Sequence, residues 1–250
     1  LSEKPAVVFA PHVETASGMV LPDDYLKAIG DAVARVGGLF VLDCVASGAL
    51  WVDMEACGVD VLISAPQKGW SASPCAALIA LSGRALERFE QTNSSSFAAD
   101  LKKWLNIMRA YEDGGHAYHA TMPTDTLATL RDAMQETEKT GLDTLKARQW
   151  DLGNRVRVLF AEAGFRSVAA EGFEAPGVVV LHTDNIDIHN TRLFREQGIQ
   201  TAAGVPMMCD EPEDFRTFRV GLFGLEKLNH IDRTVDNLRR ALAAIASADR

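Results

Sequence analysis

Residues 41–70 read VLDCVASGALWVDMEACGVDVLISAPQKGW, and this stretch decides the fold class. It contains the end of one apolar run, residues 39–42, and the whole of a second, residues 61–63. Asp43 closes the first run, and Lys68 follows the second. Short runs without polar residues predict strands that are buried on both faces, as in a parallel sheet. Because ligands bind at the carboxyl ends of such strands, Asp43 and Lys68 are predicted to share one edge of one sheet.

The flanking sequence continues this alternation of strand and helix. Apolar runs at 6–10 and 76–81 predict two further strands. Residues 21–36 carry apolar side chains at helical spacing; Pro22 suits the start of this helix, and Gly37 suits its end. Strands that alternate with helices predict an α/β fold, with a mostly parallel sheet and helices on both faces.

The pattern changes in the second half of the chain. Residues 125–163 predict a long helix that is broken or bent near Gly141 and Gly153. The remaining predicted elements are a strand at 177–182, a helix at 187–197, a strand at 218–222 and a helix at 231–246. This order predicts a smaller α+β unit, joined to the first sheet by the long helix.

Composition excludes several classes of function. The chain has 250 residues, of which 47% are hydrophobic and 24% charged, as in ordinary globular proteins. Its net charge is −9 and its cations are scattered, so nucleic acid is not an expected partner. No apolar run reaches the length of a membrane span, and no secretory signal is predicted. The four cysteines lack CxxC spacing, which predicts reduced thiols in a cytoplasmic protein. His116 and His119 have no Cys or carboxylate at a matching spacing, so no metal site is predicted.

The residues at the predicted sheet edge suit one cofactor. A lysine amine forms a Schiff base with an aldehyde. Pyridoxal phosphate (PLP) carries that aldehyde, and a carboxylate beside its pyridine nitrogen keeps the ring effective as an electron sink. Asp43 and Lys68 could therefore lie on opposite sides of one ring. Spacing alone leaves the plainer alternatives open, in which Asp43 is a turn aspartate and Lys68 a solvated loop lysine.

Four motifs in order then give a resemblance that covers nearly the whole chain. They are HVETASGM at 12–19, the stretch 41–70, YHATMP at 118–123 and FRVGLFG at 218–224. Together they resemble the class V aminotransferases of PLP-dependent fold type I, above all the alanine–glyoxylate and serine–pyruvate aminotransferases.

The resemblance implies a role for each site residue in the first half. Lys68 would hold PLP as a Schiff base and carry the proton during transamination. Asp43 would pair with the pyridine nitrogen of the cofactor. Gln67 would help to hold the cofactor near its phosphate, and Thr15 would hydrogen-bond the ring or its hydroxyl region.

The same resemblance implies a homodimer with shared active sites. Tyr118 and Thr121 would reach the PLP phosphate of the other subunit. Arg219 would bind the substrate carboxylate through the two-pronged contact that only a guanidinium makes well.

The implied fold also assigns the parts of the chain. Residues 1–125 would be the latter part of the large PLP-binding domain, 126–160 the connecting long helix and 161–250 the small C-terminal α+β domain. Family members carry well over a hundred residues before the HxE turn, including a glycine-rich phosphate-binding helix start and an aromatic that stacks on the ring. The N-terminal part of the fold is therefore expected to be missing from this chain.

The implied activity is transfer of an amino group between alanine or serine and glyoxylate or pyruvate. Two departures from the family pattern flank the site. CVASGAL is one residue shorter than that pattern, and SASPCAA stands in place of a PPG turn. One alternative is a PLP lyase resembling the cysteine desulfurases, although those have His where Gln67 stands. Another is a non-catalytic fragment that keeps the fold without the cofactor.

Overall fold

The computed structural model describes residues 2–248. In the first half, the strands are β1 (Val7–Pro11), β2 (Val13–Glu14), β3 (Met19–Val20), β4 (Leu39–Asp43), β5 (Val61–Ser64) and β6 (Leu78–Leu81). The helices of that half are α1 (Asp23–Arg35), α2 (Gly83–Glu90) and α3 (Leu101–Glu112).

In the second half, the strands are β7 (Val178–His182), β8 (Ala202–Ala203) and β9 (Thr217–Gly221). The helices are α4 (Thr124–Thr140), α5 (Leu142–Glu162), α6 (Ile186–His189), α7 (Arg192–Glu196), α8 (Leu225–Asn229) and α9 (Ile231–Ala248).

The first half forms the predicted, mostly parallel sheet. Its strand order is β1-β4-β5-β6, in which β1, β4 and β5 are parallel and β6 is antiparallel to β5. Asp43 is in register with Pro11 of β1 and with Ile63 of β5. The carboxyl ends of three neighbouring strands therefore meet at one edge, as the sequence predicts.

The two faces of this sheet have different surroundings. Helix α1 covers one face, where its Leu26 and Val33 form a cluster with Phe40 and Leu42. Pro22 precedes this helix, and Gly37 follows it with φ of 75°, so both predicted helix ends are confirmed. On the opposite face, Phe9 of the edge strand β1 is 73% exposed whereas its neighbour Val41 of β4 is 6% exposed, so the described residues leave this face open to solvent at β1.

The second half packs around an antiparallel sheet of order β7-β9-β8. Its largest core cluster includes Phe160 of α5, Phe194 of α7 and Phe218 of β9. Ala49, which comes from the first half, belongs to the same cluster. The division of the chain at 125 and 160 stays a prediction.

The long predicted helix breaks at only one of its two glycines. Gly141, with φ of 93°, separates α4 from α5 as predicted. Gly153 lies inside α5, which runs from Leu142 to Glu162 without interruption, so the helix is not broken there. A Cβ at Gly153 would lie 2.5 Å from the Cα of Pro176, so glycine lets the helix pack directly against the chain that enters β7.

The helix predicted at 187–197 is two short helices. Thr191 has φ of 70°, which is left-handed backbone, and it separates α6 from α7. Asn185 caps α6 by accepting hydrogen bonds from the N–H groups of Asp187 and Ile188. Between residues 2 and 248, no helix combines the length and the apolar character needed to cross a membrane.

Candidate active site

Asp43 lies at the open edge of the parallel sheet. Its carboxylate is exposed, and Oδ1 accepts a hydrogen bond from the Val45 N–H at 2.9 Å. Its backbone carbonyl accepts from the N–H of His12 at 2.9 Å. The position of Asp43 is therefore fixed from its own loop and from the end of the neighbouring strand.

Thr15 occupies the turn between β2 and β3, beside this edge. The carboxylate of Glu14 shapes the turn, because it accepts hydrogen bonds from the N–H of Ala16 and from the N–H and hydroxyl of Ser17, all between 2.6 and 2.7 Å. Burial raises the pKa of the Glu14 carboxyl. The bonds from Ser17 and Ala16 and the positive charge of Arg219 outweigh burial, so the pKa is lowered overall. Glu14 therefore stays charged at neutral pH.

Lys68 is carried by a loop that packs closely on the Asp43 loop. A Cβ at Gly69 would overlap the carbonyl oxygen of Gly48, so a side chain there would push the two loops apart. Ser71, which donates its N–H to the Lys68 carbonyl, accepts a 2.7 Å hydrogen bond from Leu225 through its hydroxyl. The loop is thus held on one side by the Asp43 loop and on the other by the chain that follows β9.

The amine of Lys68 rests over an aromatic ring. Its Nζ lies 5.6 Å from the ring centroid of Phe223, within range of a cation–π contact. Phe223 in turn packs closely against Gly48 and Gly177. Gln67 precedes the lysine and is exposed.

Arg219 lies on β9, between Val180 of β7 and Ala202 of β8. Its Nε donates a 2.9 Å hydrogen bond to the Ala203 carbonyl, so the guanidinium is anchored by one of its five N–H groups. The chain from β9 continues directly to Phe223, which links this strand to the Lys68 loop. Arg219 is therefore connected to the sheet edge through the chain that leads to Phe223, and its positive charge contributes to lowering the pKa of Glu14.

Tyr118 and Thr121 lie apart from these residues in the segment between α3 and α4. Their side-chain hydroxyls are 3.0 Å apart and hydrogen-bonded to each other, and Tyr118 is 79% exposed. Within residues 2–248, no hydrogen bond joins either side chain to Asp43, Thr15 or Lys68.

Sequence reasoning missed three side chains that support the site. Phe223 stands in the FRVGLFG motif, but nothing in the motif alone shows that its ring lies beneath Lys68. Gln149 is fully buried and donates from Nε2 to the carbonyls of Pro176 and Leu222, both at 3.2 Å. Ser47 is buried against His12, and no spacing rule joins two residues so far apart in the chain.

Comparison with curated proteins gives two informative relatives. The chain is 29% identical over 239 residues to 2-aminoethylphosphonate–pyruvate transaminase 1 of Burkholderia lata, covering 95% of this chain and 60% of that protein. It is 27% identical over 249 residues to alanine–glyoxylate aminotransferase of Callithrix jacchus, covering 96% of this chain and 58% of that protein. The chain therefore spans about 60% of the length of these relatives.

Solved structures share the fold. Alanine–glyoxylate aminotransferase from Nostoc sp. superposes with a TM-score of 0.79 at 24% identity, covering 96% of this chain and 63% of that one. Ureidoglycine–glyoxylate aminotransferase from Bacillus subtilis gives a TM-score of 0.79 at 22% identity, with 98% and 61% covered. The family model of aminotransferase class-V matches residues 1–222. With the fold and the motifs in agreement, the chain belongs to the class V aminotransferase family.

Proposed function

We propose that the protein is a PLP-dependent aminotransferase. It moves an amino group between alanine or serine and glyoxylate or pyruvate. One observation carries the proposal: Asp43 and Lys68 follow neighbouring parallel strands, and their loops pack through Gly48 and Gly69. In a family of aminotransferases, an amine and a carboxylate at one sheet edge are the two groups that the cofactor ring needs.

The donor set of this edge fits PLP. The Lys68 amine suits the aldehyde, and the Thr15 hydroxyl suits the ring hydroxyl. The Asp43 carboxylate, of which only Oδ1 has a hydrogen-bond partner among residues 2–248, suits the pyridine nitrogen. When bound, PLP supplies the electron sink that stabilises negative charge at the substrate Cα.

Each residue of the chain then has one task. Lys68 would hold the cofactor covalently, and its amine would carry the proton at the substrate Cα. Phe223 would hold the Lys68 side chain at this edge of the sheet through the cation–π contact of its ring with the lysine amine. Arg219, anchored through Nε, turns its remaining N–H groups to the substrate carboxylate and orients the Cα–H bond toward the lysine.

The phosphate of PLP requires further donors. Gln67, beside the lysine, supplies one contact. We assign the others to Tyr118 and Thr121 of the partner subunit in a homodimer, with each active site at the interface. Two observations support a partner here: α3 has no buried side chain, and Phe97, Met108, Tyr111 and Tyr118 are all more than half exposed.

The substrate class follows the names of the relatives. The Burkholderia lata protein pairs an aminophosphonate with pyruvate, and the Callithrix jacchus protein pairs alanine with glyoxylate. A small 2-oxo acid is common to both, so glyoxylate and pyruvate are the acceptors to test first. The cytoplasmic location stays a prediction; Cys44, Cys57, Cys75 and Cys209 all carry free thiols.

The test is a trapping experiment followed by a survey of amino donors. Borohydride reduction of the complete protein with PLP, followed by peptide mapping, should label Lys68. The Lys68→Ala variant should give no label at this position, and its turnover should fall by at least about 10²–10⁴-fold. A label on another lysine would remove the assignment. Release of sulfide from cysteine without transfer of an amino group would identify a lyase instead.

A further inference from the structure

A buried histidine and a buried serine pair beneath the Asp43 loop. His12 is 3% exposed and Ser47 is 3% exposed, and the imidazole Nδ1 lies 2.7 Å from the Ser47 hydroxyl. The two residues are 35 positions apart in the chain. Buried polar side chains destabilise the fold unless they are hydrogen-bonded, so each residue satisfies the other.

The backbone of His12 is hydrogen-bonded to the Asp43 loop and to the chain that follows β3. Its N–H donates to the carbonyl of Asp43, and its own carbonyl accepts from the N–H of Leu21, both at 2.9 Å. The imidazole contact to Ser47 lies four residues further along the Asp43 loop. His12 therefore holds that loop at two points while it also anchors the start of the Thr15 turn.

The loop between these two points is itself closed by short contacts. Ser47 donates its N–H to the carbonyl of Cys44 at 3.2 Å. Asp43 Oδ1 is directed by the N–H of Val45, which lies inside this closed loop. Loss of the Ser47 contact would free the loop and, with it, the donor that aims the carboxylate.

We propose that His12 is a positioning residue for the Asp43 carboxylate, acting through its buried hydrogen bond to Ser47. The inference rests on the proposed function, because Asp43 needs a fixed direction only if it pairs with a ring nitrogen. His12 touches neither substrate nor cofactor in this role. It keeps Asp43 and Thr15, the groups proposed for the pyridine nitrogen and the ring hydroxyl, at a constant separation.

The experiment uses the complete protein. Two substitutions at His12 place a side-chain amide at different distances from the backbone, so that only one of them reaches Ser47. In His12→Asn, the side-chain amide stands where Nδ1 stood, so it can still bond to Ser47. In His12→Gln, the amide stands near the position of Nε2 and misses Ser47. Ser47→Ala removes the hydroxyl and keeps the backbone. Val33→Ala, on α1 in the core cluster that also includes Cys44 of the Asp43 loop, is the control for lost stability alone.

Two quantities are measured for each variant: the PLP dissociation constant, by quenching of tryptophan fluorescence, and the steady-state constants kcat and KM. His12→Gln and Ser47→Ala should weaken PLP binding and lower kcat by about 3- to 10-fold, with KM nearly unchanged, as for one lost hydrogen bond. His12→Asn should stay within about 2-fold of the wild type, and the double variant His12→Gln, Ser47→Ala should be no worse than either single variant.

The proposal is overturned if Ser47→Ala binds PLP as the wild type does, or if Val33→Ala weakens PLP binding as much as Ser47→Ala. A double-mutant cycle of urea unfolding tests the His12–Ser47 bond without any cofactor. Suppose that the cycle shows coupling but that the wild-type protein neither binds PLP nor transfers amino groups. The hydrogen bond would then be established, and both the proposed function and the positioning role would be refuted. Coupling together with weakened PLP binding supports both.

Discussion

Arg219 is the residue from which the substrate class can be tested most directly. Arg219→Lys keeps the charge but loses the planar pair of donors, so it is not a conservative change at a carboxylate site. We expect catalytic efficiency with amino acids to fall by about 10- to 100-fold, or roughly 1.4–3 kcal/mol, while PLP binding is retained. Amines without a carboxylate should react with the variant as they do with the wild type.

The matched control is Arg216→Lys, which changes an exposed arginine on the same segment. It should leave all rates unchanged. If Arg219→Lys slows the reaction of carboxylate-free amines as much as that of amino acids, then the arginine has a structural role. It would then no longer support the assignment of an amino acid substrate.

His12 makes a second prediction at this scale, about stability and pH. Burial lowers the pKa of the imidazole from 6.5 to about 4; the charge of Asp23 opposes this effect and Lys146 adds to it. The unfolded chain therefore binds a proton that the folded chain excludes. Stability should be complete above pH 6.5 and fall as the pH drops toward 4, by about 3 kcal/mol in total.

Urea unfolding at pH 7.5 and at pH 5 would measure this loss. Of the total, about 2 kcal/mol should already be gone at pH 5. His12→Asn cannot take up the proton. The free energy of unfolding of this variant should therefore fall by about 2 kcal/mol less between pH 7.5 and pH 5 than that of the wild type. An equal loss in variant and wild type would mean that other groups set the acid sensitivity.

At the scale of elements, the contact of α5 with the chain entering β7 is the clearest case of packing that overrides propensity. Alanine is favoured over glycine in a helix by about 1 kcal/mol. At Gly153, however, a methyl group would meet Pro176 at 2.5 Å, and such overpacking costs about 1–3 kcal/mol. After subtraction of the gain in helix propensity, we expect Gly153→Ala to lower the free energy of unfolding by up to about 2 kcal/mol.

Gly83 provides the control for this prediction. It begins α2, and a Cβ there would have no neighbour within 4 Å. Gly83→Ala should leave the free energy of unfolding unchanged or raise it slightly. Urea titration of both variants decides the point, and an equal response at the two positions would mean that α5 can shift away from Pro176.

The elements also show which features a sequence can predict. Helix α1 was predictable because its ends depend on local chemistry, at Pro22 and Gly37. The unbroken α5 was not predictable, because the reason for Gly153 lies in Pro176, 23 residues further along the chain. Thr191 likewise gives no warning of its left-handed backbone, since threonine rarely adopts it.

The candidate site divides in the same way. Strand ends locate Asp43 and Lys68, since apolar runs and the polar residues after them can be read along the chain. The contacts that hold these residues are long-range: Gly69 against Gly48, Ser71 to Leu225, and His12 to Ser47. Each depends on how separate loops meet, which no periodicity encodes.

At the scale of the whole molecule, the proposed homodimer predicts that the partner subunit completes each phosphate site. If Tyr118 and Thr121 act in trans, then a Lys68→Ala protein and a Tyr118→Phe, Thr121→Ala protein carry complementary defects. A heterodimer of the two would contain one site with both defects and one intact site. Random exchange of subunits makes half of the dimers heterodimers, so the mixture should recover about a quarter of wild-type activity.

Mixing Lys68→Ala with Asp43→Asn is the control, since both changes affect groups supplied by the same subunit. Their heterodimer contains no intact site and should regain nothing. The assay is transamination after unfolding and refolding of the mixed chains, with each variant refolded alone as a baseline. Should the first mixture also regain nothing while the size of the particle shows dimers, then Tyr118 and Thr121 serve their own subunit. The exposed segment between α3 and α4 would then have to fold back toward Lys68 within one chain.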